Sequence, residues 1–130
     1  MLSRFVVRIL LPIFGILVFF GCAQSAQHAI LKKKYQNYVY ATDFDTSQIS
    51  AFSIRENPTS GLIEFFLEIS PTSTKQLLYK LEWLDKDDFS LNNIQDDFKM
   101  IQLNDGYVIK IKHSANHKKA KSVKIYLKGN

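Results

Sequence analysis

Apolar and polar residues alternate along most of the chain after residue 48, and this period of two constrains the fold more than any other feature. In Leu62–Ile69, every second residue from Ile63 onward is apolar, whereas Glu64 and Glu68 fall on the opposite side. Successive side chains of a β-strand point to opposite faces of a sheet. The alternation therefore predicts strands that bury one face and expose the other.

The same pattern predicts six or seven short strands and no long helix. Asn57–Gly61 and Asn104–Gly106 mark the clearest turns, and Ser90–Asp97 has room for one helical turn. The predicted strands are Tyr38–Tyr40, Ile49–Glu56, Leu62–Ile69, Leu77–Leu84, Phe98–Leu103, Tyr107–Lys112 and Val123–Leu127. Strands with one polar face predict an all-β fold, an antiparallel β-sandwich over residues 37–130.

Residues 1–21 have the organisation of an export signal. Arg4 and Arg8 precede the apolar run Ile9–Phe20, and Gly21 follows it. The run is shorter than the about 20 residues that a membrane-spanning helix needs. Positive residues, a short apolar run and then small residues are the secretory pattern.

The residues around Cys22 resemble the lipobox of bacterial lipoproteins, in which Gly and Cys end the signal. The resemblance implies that Cys22 carries a lipid and anchors the protein in a membrane. Because no Asp follows Cys22, it also implies the outer membrane, facing the periplasm. Two alternatives stay open: an ordinary signal cleaved near Ala23 or Ala26, and an uncleaved N-terminal anchor helix.

Residues 22–36 lack a clear period and are predicted to be a flexible tether. Its lysines, Lys32 to Lys34, either contact anionic lipid, at roughly 1 kcal/mol each, or simply keep a linker solvated.

Composition limits what the exported part can do. Without Arg4 and Arg8, it keeps 15 basic and 12 acidic side chains, a net charge of +3. Cys22 is the only cysteine, so no internal disulfide forms. No nucleophile–base motif, phosphate loop or cofactor motif is legible. We therefore expect neither an enzyme nor a cofactor, and no contact with nucleic acid.

The C-terminal third is basic and offers one candidate binding surface. If the last two strands formed a hairpin, Lys110 and Lys112 would lie beside Lys124 and Lys128 on one outer face. Such a face would suit lipid phosphates or another anionic envelope polymer, although lysines also promote solubility and guard edge strands. The candidate residues are Lys110, Lys112, Lys118, Lys119, Lys121, Lys124 and Lys128.

Three other features are interpreted structurally. Trp83 is expected to pack between the sheets rather than to stack on a sugar. The acidic run from Asp85 to Asp88 lacks a full calcium-loop pattern and indicates a solvated turn. His113 and His117 have a spacing that suits zinc only on a helix, and no third ligand is evident, so no metal site is predicted.

Two segments resemble the YcfL-like family of small bacterial lipoproteins. They are Gly61–Ile69 and Tyr79–Asp85, the second ending in Trp83-Leu84-Asp85, and Phe98–Tyr126 fits the family's closing strands. Asp88 stands where that family usually has Gly. The resemblance implies an immunoglobulin-like sandwich and a lipid anchor, in a family whose activity is uncharacterised.

Together these features predict a lipid-anchored cell-envelope protein. Its role is expected to be non-enzymatic: binding an envelope protein partner, or assembly, by strand addition at a sheet edge. The alternative is binding of an anionic polymer or lipid through the basic C-terminal third.

Overall fold

The structure is a computed structural model that describes residues 26–91 and 97–130. The chain divides into two compact units, residues 1–32 and 33–130. The predicted export signal, Cys22 and most of the possible helical turn in Ser90–Asp97 lie outside the described residues. Within the described ranges, no helix is both long and apolar enough to cross a membrane.

Residues 26–35 are α-helical, whereas the sequence predicted a tether without regular structure there. The segment contains Ala26, Ala29, Leu31 and three lysines, residue types that favour helix. Ile30 is nevertheless 58% exposed, and the less exposed side of the helix combines His28 with Leu31 and Tyr35, so its apolar stripe is short and interrupted by a polar residue. A search for periodicity misses such a helix because it reads amphipathic pattern rather than propensity.

Within residues 26–91 and 97–130, seven strands form two sheets, which confirms the predicted all-β sandwich. The strands are β1 (Val39–Thr42), β2 (Ile49–Glu56), β3 (Ile63–Ile69), β4 (Lys75–Leu84), β5 (Lys99–Leu103), β6 (Ile109–Ser114) and β7 (Ser122–Gly129). A short 3-10 helix, Thr46–Gln48, joins β1 to β2. Sheet A has the order β1-β7-β4-β5, and sheet B the order β2-β3-β6.

One pairing departs from the predicted antiparallel arrangement. β1 runs parallel to β7, with Val39 beside Ile125 and Thr42 beside Lys128. The two strands lie at opposite ends of the domain sequence, so no tight turn forces them to be antiparallel. The division into four and three strands is that of the seven-stranded immunoglobulin-type sandwich.

The inner faces of the two sheets form the core. Leu67 and Ile69 of sheet B and Leu77, Leu103 and Ile125 of sheet A have no measurable exposure. All five belong to the apolar halves of their alternating strands. Replacing one such Leu by Ala typically costs about 2–5 kcal/mol, so these side chains hold the sheets together.

The connection from β6 to β7, residues 115–121, crosses from sheet B to sheet A. At its start the amide of Ala115 donates to the carbonyl of Ile63, at 2.8 Å. At its end the amide of Lys121 donates to the carbonyl of Leu84, also at 2.8 Å. Ala115 and Ala120 are both buried, so the loop is fastened to both sheets.

Candidate functional site

Four strands lie at sheet edges, and β5 is one that carries neither a bulge nor more than one lysine. Among the described residues, β1, β5, β2 and β6 each pair on one side only. β1 has only four residues. β2 contains an irregularity between Ile49 and Ala51, and β6 carries Lys110 and Lys112. Short strands, bulges and lysines are the usual ways of blocking further pairing at an edge; β5 carries a single Lys, at position 99.

Exposed apolar side chains are frequent in the sequence on both sides of β5. Of the seven large hydrophobic residues that are exposed in the described part of the chain, five lie between residues 89 and 108. They are Phe89 at 70%, Phe98 at 41%, Met100 at 62%, Tyr107 at 70% and Val108 at 52% exposed. Of these, Phe98 and Met100 lie on or beside β5, and neighbouring exposed apolar groups mark interaction sites more often than isolated ones.

A pocket of about 350 Å³ opens beside β5, between the edges of the two sheets. Tyr79 and Trp83 of β4 line it from sheet A, and His113 of β6 lines it from sheet B. Phe98 and Lys99 lie at the β5 side. A pocket of this size accepts a side chain or a small ligand.

Contacts between the two sheets form the pocket wall. The Tyr79 hydroxyl lies 3.3 Å from Nε2 of His113. The His113 ring stacks on Phe65, with 5.9 Å between ring centroids. The ring centroid of Phe65 in turn lies 6.1 Å from that of Trp83. Trp83 therefore packs between the sheets as expected, but it is only half-buried because it also lines the pocket.

Burial lowers the pKa of His113 below its ordinary value of 6.5, and the nearby Lys99 ammonium lowers it further. Both causes disfavour the charged ring, because partial desolvation and a neighbouring cation each penalise an imidazolium. His113 is thus held as a neutral, largely apolar ring in the pocket wall. The contact between His113 and Tyr79 was not predicted from the sequence, because the spacing of His113 and His117 carries no information about residues of the opposite sheet.

The prediction that Lys110, Lys112, Lys124 and Lys128 share one outer face is wrong. β6 pairs with β3, and β7 pairs with β1 and β4, so β6 and β7 form no hairpin. Lys110 and Lys112 lie on the outer face of sheet B, whereas Lys124 and Lys128 lie on that of sheet A. The alternation predicted which residues point outward but not which sheet each strand joins.

The other three predicted lysines do come together, with a fourth that the sequence did not indicate. Lys118, Lys119 and Lys121 of the β6–β7 loop line a depression with Asp85 and Lys86 of the turn after β4. More than 30 residues separate Lys86 from the others, so no local pattern links them. Their possible role as a binding surface is taken up below.

The acidic run after β4 forms a hydrogen-bonded turn. Oδ1 of Asp85 accepts from the amides of Asp87, at 2.9 Å, and Phe89, at 3.0 Å. Asp88 has a left-handed φ of 64°. His117 accepts from the amide of Lys119 through Nδ1, at 3.0 Å. The described residues contain no group of three or more side chains suited to hold a metal ion.

Comparisons with known proteins agree with this fold. The family model for a protein of unknown function, DUF1425, matches residues 36–129. The crystal structure of Campylobacter jejuni cj0090 is similar, with a TM-score of 0.66 and 27% identity over 73% of this chain and 100% of that chain. A comparison with curated proteins finds no match.

A second solved structure is a DUF1425 family member from Shewanella sp. pv-4. Its TM-score is 0.50 and its identity 15%, over 61% of this chain and 73% of that chain. At that identity the likeness concerns the fold alone. The family match extends over nearly the whole β-sandwich and most of the chain, and on that basis the chain belongs to the DUF1425 family of proteins of unknown function.

Proposed function

We propose that the protein is a lipid-anchored cell-envelope protein of the YcfL-like kind whose β-sandwich binds an extended segment of a protein partner. The partner strand would add to the free edge of β5. The observation that carries the proposal is the coincidence of an edge strand with one lysine and no bulge, the exposed side chains of Phe98 and Met100 on or beside it, and an adjacent pocket.

Strand addition would use both the backbone and the surroundings of β5. An added strand forms main-chain hydrogen bonds with the edge, and its alternate side chains fall on the two faces of the sheet. Side chains on the outer face would meet Met100, which is 62% exposed. Those on the inner side would meet the pocket beside Lys99 and His113. An apolar side chain of the partner suits both places. It would contact the side chain of Met100 on the outer face and the ring of Trp83 in the pocket.

No catalytic step is part of the proposal. The contact between Tyr79 and His113 joins the two sheets at the pocket wall, and a binding pocket needs only that its wall be held in place. The aromatic contacts of Phe65 and Trp83 serve the same purpose.

Binding is tested by comparing variants in an affinity capture from detergent-solubilised envelope. Met100→Glu places a charge on the exposed face of β5 and should abolish capture of the partner. Ile30→Glu is the matched control, since Ile30 is 58% exposed but lies on the helix. Equal capture by wild type and Met100→Glu, or equal loss with Ile30→Glu, would contradict the proposal.

The anchor is tested separately at Cys22. Two or three acyl chains on one residue hold a protein firmly on a bilayer, whereas a single chain does not. We expect labelled palmitate to enter the wild-type protein and not Cys22→Ser, and Cys22→Ser to leave the membrane fraction. Unlabelled wild-type protein would favour the ordinary signal peptide or the uncleaved helix instead.

A further inference from the structure

The depression lined by Lys86, Lys118, Lys119 and Lys121, here called the lysine pocket, lies apart from β5. It is formed by the turn after β4 and the loop between β6 and β7. Four lysines from two loops thus surround one space of about 440 Å³. Asp85 is the only acidic residue that lines it.

The residues that line the lysine pocket carry a net positive charge, and Asp87 and Asp88 of the same turn do not line it. Asp85 is already engaged, because its Oδ1 accepts hydrogen bonds from two backbone amides of its own turn. The ion pair seen among the described residues joins Arg55 to Glu64 on the outer face of sheet B, and it includes none of the four lysines of the pocket. The four ammonium groups and one carboxylate that line the pocket sum to +3.

Both loops that present these lysines are held by backbone hydrogen bonds. The amide of Lys119 donates to Nδ1 of His117 at 3.0 Å, and the amide of Ala120 donates to the His117 carbonyl at 3.1 Å. The amide of Lys121 donates to the carbonyl of Leu84, which fastens one loop to the start of the other. Only the lysine side chains must become ordered when a ligand binds, which lowers the entropic cost of binding.

We propose that the lysine pocket binds a phosphate group. A phosphate monoester carries about −1.5 to −2 charges and three acceptor oxygens, which suits several ammonium groups that approach from different sides. Lysine binds phosphate as a point charge and does not need the planar geometry of an arginine–carboxylate pair. A single carboxylate would leave most of the charge unbalanced. The phosphate belongs either to a soluble ester or to a lipid headgroup.

Calorimetric titration of the full chain in a nonionic detergent tests the proposal. The probes are inorganic phosphate, glycerol phosphate, and micelles doped with phosphatidic acid, whose headgroup is a phosphate monoester. Replacing Lys118, Lys119 and Lys121 together by Gln should weaken binding about 100-fold, if each lysine contributes as at an anionic lipid surface. Their backbone hydrogen bonds remain, so the fold is preserved.

A second triple variant removes the same charge elsewhere. Lys110, Lys112 and Lys128 are exposed on the outer faces of the two sheets, and their replacement by Gln should change affinity less than about threefold because distant charges are screened. Binding of the two soluble probes supports a soluble ester, and binding of doped micelles alone supports a lipid headgroup. Equal weakening in both triple variants, or no binding of any probe, overturns the proposal.

Discussion

Replacing Gly129 by Ala should destabilise the fold, although the backbone there lies outside the left-handed region that favours glycine. Gly129 ends β7 and pairs with Leu77 of β4. A Cβ at this position would lie 1.8 Å from the carbonyl oxygen of Asp43 and 2.8 Å from its carbonyl carbon. These are backbone atoms and cannot rotate away, so the residue that follows β1 must move.

The two contributions to the free energy of unfolding have opposite signs. In an unstrained position, Gly→Ala stabilises by about 0.4–1 kcal/mol through the unfolded chain. Overpacking costs about 1–3 kcal/mol, and displacement of Asp43 also strains the pairing of β1 with β7, where Val39 is buried. We expect a net loss of about 2 kcal/mol, or a fall in Tm of about 8–16 °C.

Urea unfolding followed by the fluorescence of Trp83, the only tryptophan, measures this loss. Gly106→Ala is the control, because no atom lies within 4 Å of its Cβ and its φ is +79°. The free energy of unfolding of Gly106→Ala should fall by about 1–2 kcal/mol, the cost of a left-handed conformation at Ala. This variant should leave β1 undisturbed. If Gly129→Ala were as stable as the wild type, or more stable, the close approach of β1 to β7 would be refuted.

Three further predictions concern stability. Because Asp88 has a φ of 64°, urea unfolding should show Asp88→Val about 1–2 kcal/mol less stable and Asp88→Gly no less stable than wild type; a tolerated Val would contradict this. Leu67→Ala should lose about 2–5 kcal/mol in the same assay, and a loss below 1 kcal/mol would place Leu67 outside the core. The lowered pKa of His113 means that the folded state binds fewer protons than the unfolded state below the ordinary value of 6.5. The stability that the neutral His113 ring contributes is therefore fully present above pH 6.5, and it is lost as the pH falls toward and through the pKa of the folded state. His113→Gln should reduce the slope of stability between about pH 7 and 5; an unchanged slope would exclude His113 as its source.

The alternation of side chains allowed the strands to be predicted closely. β2 has the predicted bounds, Ile49–Glu56, and the inward residues of β3 are those that the pattern placed on one face. Strand ends elsewhere differ by one or two residues, in either direction. A period of two is a local property, so it survives whatever the strand pairs with.

Pairing was not predictable in the same way, because it depends on contacts between distant segments. No local pattern indicates that β6 joins β3 while β7 joins β4. For the same reason such a pattern could not bring Lys86 to Lys119, or His113 to Tyr79. The helix over residues 26–35 was missed because its composition, not its pattern, favours helix.

Asp88 is the position where the sequence departs from the pattern that it resembles, which has Gly there. In this structure its φ is 64°. Gly adopts such a conformation freely, while Asp is among the few other residues that tolerate it. The departure from the family pattern therefore preserves the turn instead of changing it.

Site-specific photocrosslinking in intact cells tests the proposed partner site most directly. A photoreactive residue at position 102 lies on the exposed edge strand β5, and one at position 128 lies on β7, an inner strand of the same sheet. We predict that position 102 crosslinks to a distinct envelope protein and that Met100→Glu removes this product, whereas position 128 gives none. The same product from both positions, or a product at 102 that Met100→Glu leaves unchanged, would contradict binding at β5.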